Sequence, residues 1–115
     1  MTAAARRVRL EGATPIFAAL GDATRLKLVA QLSDAGPQSI ARLTSATDMT
    51  RQGVTKHLQI LADAGVVRDE WRGRERVWEI DARRLEIARR FLEQASQRWD
   101  LALGRLQTLV EGSEK

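Results

Sequence analysis

Along MTRQGVTKHLQILADAGVV, residues 49–67, apolar and polar positions separate at helical spacing. At about 100° per residue, Val54, Leu58 and Leu61 fall on one face, while Gln52, Thr55, Lys56 and Gln59 fall on the other. Thr50 caps this helix, because its hydroxyl can accept from an orphan N–H of the first turn. Gly65 closes it. The same pattern predicts three helices upstream. Thr14-Pro15 starts the first, which Gly21 ends in a left-handed conformation. Asp22 caps the second, with Leu26, Val29 and Leu32 on its inner face, and Gly36-Pro37 stops it. Ile40, Leu43 and Ala46 belong to a third, short helix that begins near Ser39 and ends around Thr47-Asp48, where Asp tolerates the left-handed region.

After Gly65 the period changes to two. Val66-Val67 open one strand and Val77, Trp78 and Ile80 sit in a second. With Arg72-Gly73 as the centre of the turn, Val67 faces Trp78 and Asp69 faces Arg76, at the cost of opposing Glu70 to Glu75. Asp81 then caps a long final helix. Leu85, Ala88, Leu92, Ala95, Trp99, Ala102, Leu106 and Leu109 advance by alternating threes and fours, an a/d-type seam. Ile87, Phe91 and Leu103 widen it.

The order of elements is that of a winged helix-turn-helix: a mainly α fold with a β-hairpin, made of five helices and a two-stranded wing. The expected division is a loose basic arm over 1–13, the winged domain over 14–80, a dimerisation helix over 81–110 and a frayed tail over 111–115. One domain suits 115 residues. A hydrophobic fraction of 43% and a charged fraction of 30% are those of a folded globular chain. The chain has no cysteine, so disulfides, thiolate metal sites and cysteine nucleophiles are excluded. No apolar run approaches a membrane span, and the opening MTAAARRVRLEG lacks the apolar core of a secretory signal. A cytoplasmic location is expected. The net charge of +4 favours polyanionic partners.

The polar face of the fourth helix suits a duplex. Gln can bond adenine through two hydrogen bonds, Thr can touch a thymine methyl, and Lys and Arg meet guanine or phosphate. A merely solvated face would carry Glu and Lys in i,i+4 pairs, but this one has no acid before Asp63. Gly53 removes a side chain where the backbone could approach a strand, and Thr50 with nearby N–H groups could hold a phosphate. In WRGRER, residues 71–76, Arg72, Arg74 and Arg76 surround a projecting turn, fit to enter a minor groove or grip phosphates. The plain alternative is that Glu70, Glu75 and Glu79 neutralise them. His57, the only histidine, lies at the edge of the buried face, where packing or a phosphate contact suits it better than catalysis. No nucleophile–base pair, phosphate loop or close carboxylate pair is present, so no enzyme and no cofactor is expected.

The seam of the last helix is too long to be covered by four short helices, and a second copy of the chain would bury the remainder. The expected interface comprises Phe17 with Leu85, Ala88, Leu92, Ala95, Trp99, Ala102, Leu106 and Leu109.

LGDATRLKLV (20–29), GPQSIARL (36–43), MTRQGVTKHLQILADAGVV (49–67) and GRERVWEI (73–80), in this order and spacing, resemble the ArsR/SmtB-type bacterial transcriptional regulators. The resemblance covers about residues 14–80. It implies a homodimeric winged helix that binds an operator, usually as a repressor, with the first and last helices forming the dimer. It places Thr50, Arg51, Gln52, Thr55 and Lys56 at positions the family uses for DNA; Arg51 is added by the resemblance alone. Many relatives release DNA when a metal binds cysteines in the third helix. Here that segment reads Ser39-Ile40-Ala41-Arg42-Leu43-Thr44, and the last helix has no histidine for the other common site. Thr44 stands where the family generally has Ala.

The expected function is sequence-specific binding of double-stranded DNA by a homodimeric repressor, with no metal and no membrane partner. Two rivals are a winged-helix protein-interaction module and a regulator released by a small organic ligand near Trp99.

Overall fold

The computed structural model describes residues 10–113. Its elements are α1 (Leu10–Leu20), α2 (Ala23–Ala35), β1 (Gln38–Ser39), α3 (Ile40–Ser45), α4 (Arg51–Asp63), β2 (Val67–Arg72), β3 (Glu75–Ile80) and α5 (Ala82–Ser113). The fold is the expected one of five helices with a hairpin wing, and β1 adds a strand that sequence reasoning missed. Residues 1–9 of the expected arm and the last two residues of the tail lie outside the described residues.

Local capping sets most helix starts. Asp22 accepts from the Arg25 N–H at 3.0 Å, Ser39 from Arg42 at 3.2 Å, and Thr50 from Gly53 at 3.0 Å. The Asp81 carboxylate accepts from the Arg83 N–H at 3.1 Å at the start of α5. At the end of α4 the Val66 N–H reaches the Leu61 carbonyl and the Gly65 N–H that of Ala62. This paired closure needs a left-handed residue, and Gly65 supplies it with φ +79°.

Several expectations are corrected. α1 starts by Leu10, so Pro15 lies inside the helix instead of opening it. Burial of Ala13 and Ile16 carries α1 past the point where local signals place its start. Gly21 and Asp48 do not take positive φ; among the described residues only Gly36, Gly65 and Gly73 do. α3 ends at Ser45, and the turn after it is closed by Thr47, whose N–H and hydroxyl both donate to the Thr44 carbonyl. On α2 the buried positions are Leu28 and Leu32, while Leu26 is half exposed. Leu26 lies about 120° away from the Leu32 position around the helix. α5 stays helical to Ser113, three residues past the expected fraying point.

The hairpin register is also shifted. Val67 pairs with Ile80, Asp69 with Trp78, Glu70 with Val77, Trp71 with Arg76 and Arg72 with Glu75. Gly73-Arg74 therefore forms the turn. Gly73 has φ +64° and Arg74 does not have positive φ, as a two-residue turn of type II′ requires. An arginine in the first central position would be strained there. The shift also removes the clash of Glu70 with Glu75. β1 pairs antiparallel with the inner part of β3, giving sheet order β1-β3-β2.

The core lies between the helices and one sheet face. Ile16, Leu28, Leu32, Leu43, Val54, Leu58, Leu61, Val66 and Trp78 are all essentially inaccessible. Val54, Leu58 and Leu61 form the inner face of α4 as expected, which fixes the opposite face outward.

Candidate nucleic-acid interface

The outward face of α4 carries Arg51, Gln52, Lys56 and Gln59, all exposed, and Thr55, half-buried. The five lie within an arc of about 140° around the helix. Not every group is free. The Thr50 hydroxyl accepts the capping N–H, and the Thr55 hydroxyl donates to the Arg51 carbonyl at 2.8 Å. The Gln59 amide donates to Asp63 at 3.0 Å. Arg51, Gln52 and Lys56 are the long polar side chains that reach outward without such a tie. Gly53 serves packing: a Cβ there would lie 3.0 Å from the end of the Met49 side chain and 3.3 Å from the Thr50 hydroxyl. The space that sequence reasoning reserved for a DNA strand is faced by the protein's own side chains.

The three wing arginines are not equivalent. Arg72 pairs with Glu70 at 2.7 Å. Arg76 pairs with Asp69 and lies over the Trp78 ring, 4.6 Å from its centroid. Glu79 is taken by Arg68 at 2.8 Å. Arg74, at the turn, has no ion-pair partner among the described residues. By strand parity Arg72 belongs to the sheet face opposite to Arg76. It lines a separate groove with Ser39, Arg42 and Glu75.

A recess of 260 Å³ joins α4 to the wing. Arg51 and Thr55 of α4 face Trp71, Arg74 and Arg76 of the hairpin across it, and Trp78 forms part of its wall. None of its lining residues is acidic. Of the residues nominated for DNA, the structure thus gathers Arg51, Thr55, Arg74 and Arg76 at one place and leaves Arg72 on the other side of the ribbon. Trp71, 68% exposed, was not nominated. The available signal was its parity: Val67, Asp69 and Trp71 share the sheet face that packs on the core.

His57 is used within the fold. Its Nδ1 lies 3.3 Å from the Arg25 guanidinium and 3.8 Å from the Asp22 carboxylate, tying α4 to the first turn of α2. The Arg25 N–H, and then the Arg25 and His57 charges, hold the Asp22 carboxyl below its ordinary range. The metal site of many relatives finds no donors in α3: Ser39 caps the helix, and the Thr44 hydroxyl donates to the Ile40 carbonyl at 2.7 Å. Among the described residues no group of three or more His, Cys, Asp or Glu is placed to hold a metal ion. This donor set does not fit the cysteine site.

On α5, Ala88 is buried, Leu85 and Ile87 are packed against the core, and Phe91 meets the Phe17 ring of α1. Beyond them the seam opens: Leu92, Trp99, Leu106 and Leu109 are 56–71% exposed. Ala95 and Ala102 are half-buried between these larger side chains. No helix among the described residues is long and apolar enough to cross a membrane.

Comparison with known proteins agrees with this arrangement. Residues 20–70 match the helix-turn-helix domain family. The HTH-type transcriptional regulator YuzN of Bacillus subtilis (strain 168) is 38% identical over a match covering 54% of this chain and 74% of that protein. The HTH-type transcriptional regulator Rv2034 of Mycobacterium tuberculosis is 31% identical, with 81% and 83% covered. Among solved structures, an ArsR-like transcriptional regulator from Rhodococcus sp. RHA1 superposes with a TM-score of 0.71 at 29% identity, covering 86% of this chain and 92% of that one. The chain belongs to the ArsR family of winged helix-turn-helix transcriptional regulators.

Proposed function

We propose that the chain acts as a homodimeric, sequence-specific repressor that places α4 in the major groove of a two-fold symmetric operator and the wing on the flanking backbone. One observation carries this reading: the outward polar face of α4 continues, across an acid-free recess, into the arginines of the wing. Such a surface matches a groove bordered by phosphates. Gln52 reads a base edge, Lys56 and Arg51 meet phosphate or guanine, and Arg74 holds the backbone.

The open seam of α5 supports the dimer. Leu92, Trp99, Leu106 and Leu109 expose large apolar surface along one stripe, and a second copy of the same helix buries it with matched geometry. Two α4 helices related by a two-fold axis then meet half-sites one helical turn, about 34–36 Å, or a multiple of it apart. Repression follows from occupancy of a promoter, and no catalytic step is involved.

Selection of bound duplexes from a random pool tests the reading. The expected product is a shared two-fold symmetric motif whose binding weakens steeply with salt. Recovery of no common motif, or of one without symmetry, would overturn it.

A further inference from the structure

Trp71 stands on the same sheet face as Val67 and Trp78. It is paired with Arg76 near the turn, on the edge strand of the sheet. Val67 and Trp78 are buried; Trp71 is 68% exposed. An exposed indole on a charged ribbon is an unusual use of the most apolar area a residue can offer. Three observations narrow what covers it. The recess it borders contains Arg51, Arg74 and Arg76 and no carboxylate. Arg76 is already matched by Asp69, which leaves Arg51 and Arg74 as the charges in need of a partner. The apolar seam that suits a second copy lies on α5, a different element.

The occupant is therefore polyanionic and carries an apolar surface beside its charge. A strand of duplex DNA has this composition: each phosphate is flanked by a deoxyribose with an apolar C–H face. We infer that the recess between α4 and the wing seats one sugar–phosphate unit of the operator. Trp71 packs against the deoxyribose while Arg51 and Arg74 hold the adjoining phosphates. This rests on the DNA-binding reading and adds to it a wing contact that does not depend on salt. Apolar contact releases no counterions, whereas each phosphate neutralised contributes about one to the slope of log affinity against log salt.

Titration of the duplex recovered from the random pool, across a range of salt, tests the inference. Trp71→Ala is expected to weaken binding about tenfold at every salt concentration with the slope unchanged. Arg74→Ala is expected to lower the slope by about one. Trp71→Phe, which keeps an apolar ring, retains most of the affinity. Circular dichroism and a thermal melt of each variant separate loss of contact from loss of folding. The Trp71 share of the fluorescence, taken as the difference between wild type and Trp71→Phe, changes on adding duplex. A loss of threefold or less for Trp71→Ala, or a loss that comes with a reduced slope, overturns the sugar contact while the operator reading stands. A wild-type chain that retains no duplex removes both.

Discussion

Phe17 of α1 and Phe91 of α5 meet edge to face, with ring centroids 5.5 Å apart and planes inclined by 60°. This contact joins the first and last described helices and marks where α5 leaves its own domain: Leu85, Ile87 and Ala88 pack inward before it, and Leu92 just after it is exposed. Aromatic pairs of this kind contribute about 0.5–1.5 kcal/mol beyond burial. A double-mutant cycle with Phe17→Leu and Phe91→Leu, read by urea unfolding at fixed protein concentration, is expected to show coupling in that range. Zero coupling would mean the rings merely share a surface.

Leu106 lies well past that contact and is 57% exposed. Leu106→Glu is expected to shift sedimentation from dimer to monomer at micromolar concentration, with the helical circular dichroism of the winged domain kept. Operator affinity falls with it, because a single half-site contact replaces two. A dimer of unchanged strength would place the interface elsewhere.

Gly65 combines φ +79° with the Arg84 side chain close by, at 2.9 Å from where a Cβ would stand. The arginine stem can move aside; the backbone cannot. Gly65→Ala is expected to cost about 1–2 kcal/mol from the left-handed conformation, measured as a lowered denaturation midpoint with unchanged m-value. Gly73→Ala, at φ +64° in open space, tests the same strain without any neighbour.

Gln52 and Lys56 are expected to fail in different ways. Gln52→Ala relaxes discrimination at one or two base pairs, and Lys56→Ala weakens binding to all duplexes and reduces the salt slope by about one. Competition between the selected operator and single-base variants separates them. Unchanged discrimination in Gln52→Ala would sink its base-reading role.

Acid should loosen α5. Hydrogen bonds from Arg89, its charge, and then Arg90, lower the Glu86 carboxyl from 4.5 to about 2. A depressed carboxyl contributes stability that is complete above its unfolded value and is lost as pH falls through the folded one. The Glu86 contribution therefore fades between about 4.5 and about 2. Glu86→Gln is expected to flatten the fall of melting temperature across that window, and an identical acid profile in the variant would refute the assignment.

The helix caps and the two faces of α4 were legible because their determinants are local. Asp22, Thr50 and Asp81 each serve an N–H two or three residues away. The periodicity of Val54, Leu58 and Leu61 needs no partner to be seen. α1 was misjudged for the converse reason: Thr14-Pro15 is a good local start signal, but burial of Ala13 and Ile16 extends the helix through it. Leu26 was placed inward because three leucine-like residues at helical spacing do not say which edge of their stripe the neighbours will cover.

By itself the sequence determined the order of elements, the outward polar face of α4 and the apolar seam of α5, since each follows from spacing within one segment. Only the tertiary structure decided the hairpin register, the two-residue strand β1, and which arginine of the wing is left without a carboxylate. It also brought Trp71 and Arg74 to the first turn of α4. Those outcomes depend on pairing and packing between residues far apart in the chain, where a shift of two positions in one strand changes every partner across it.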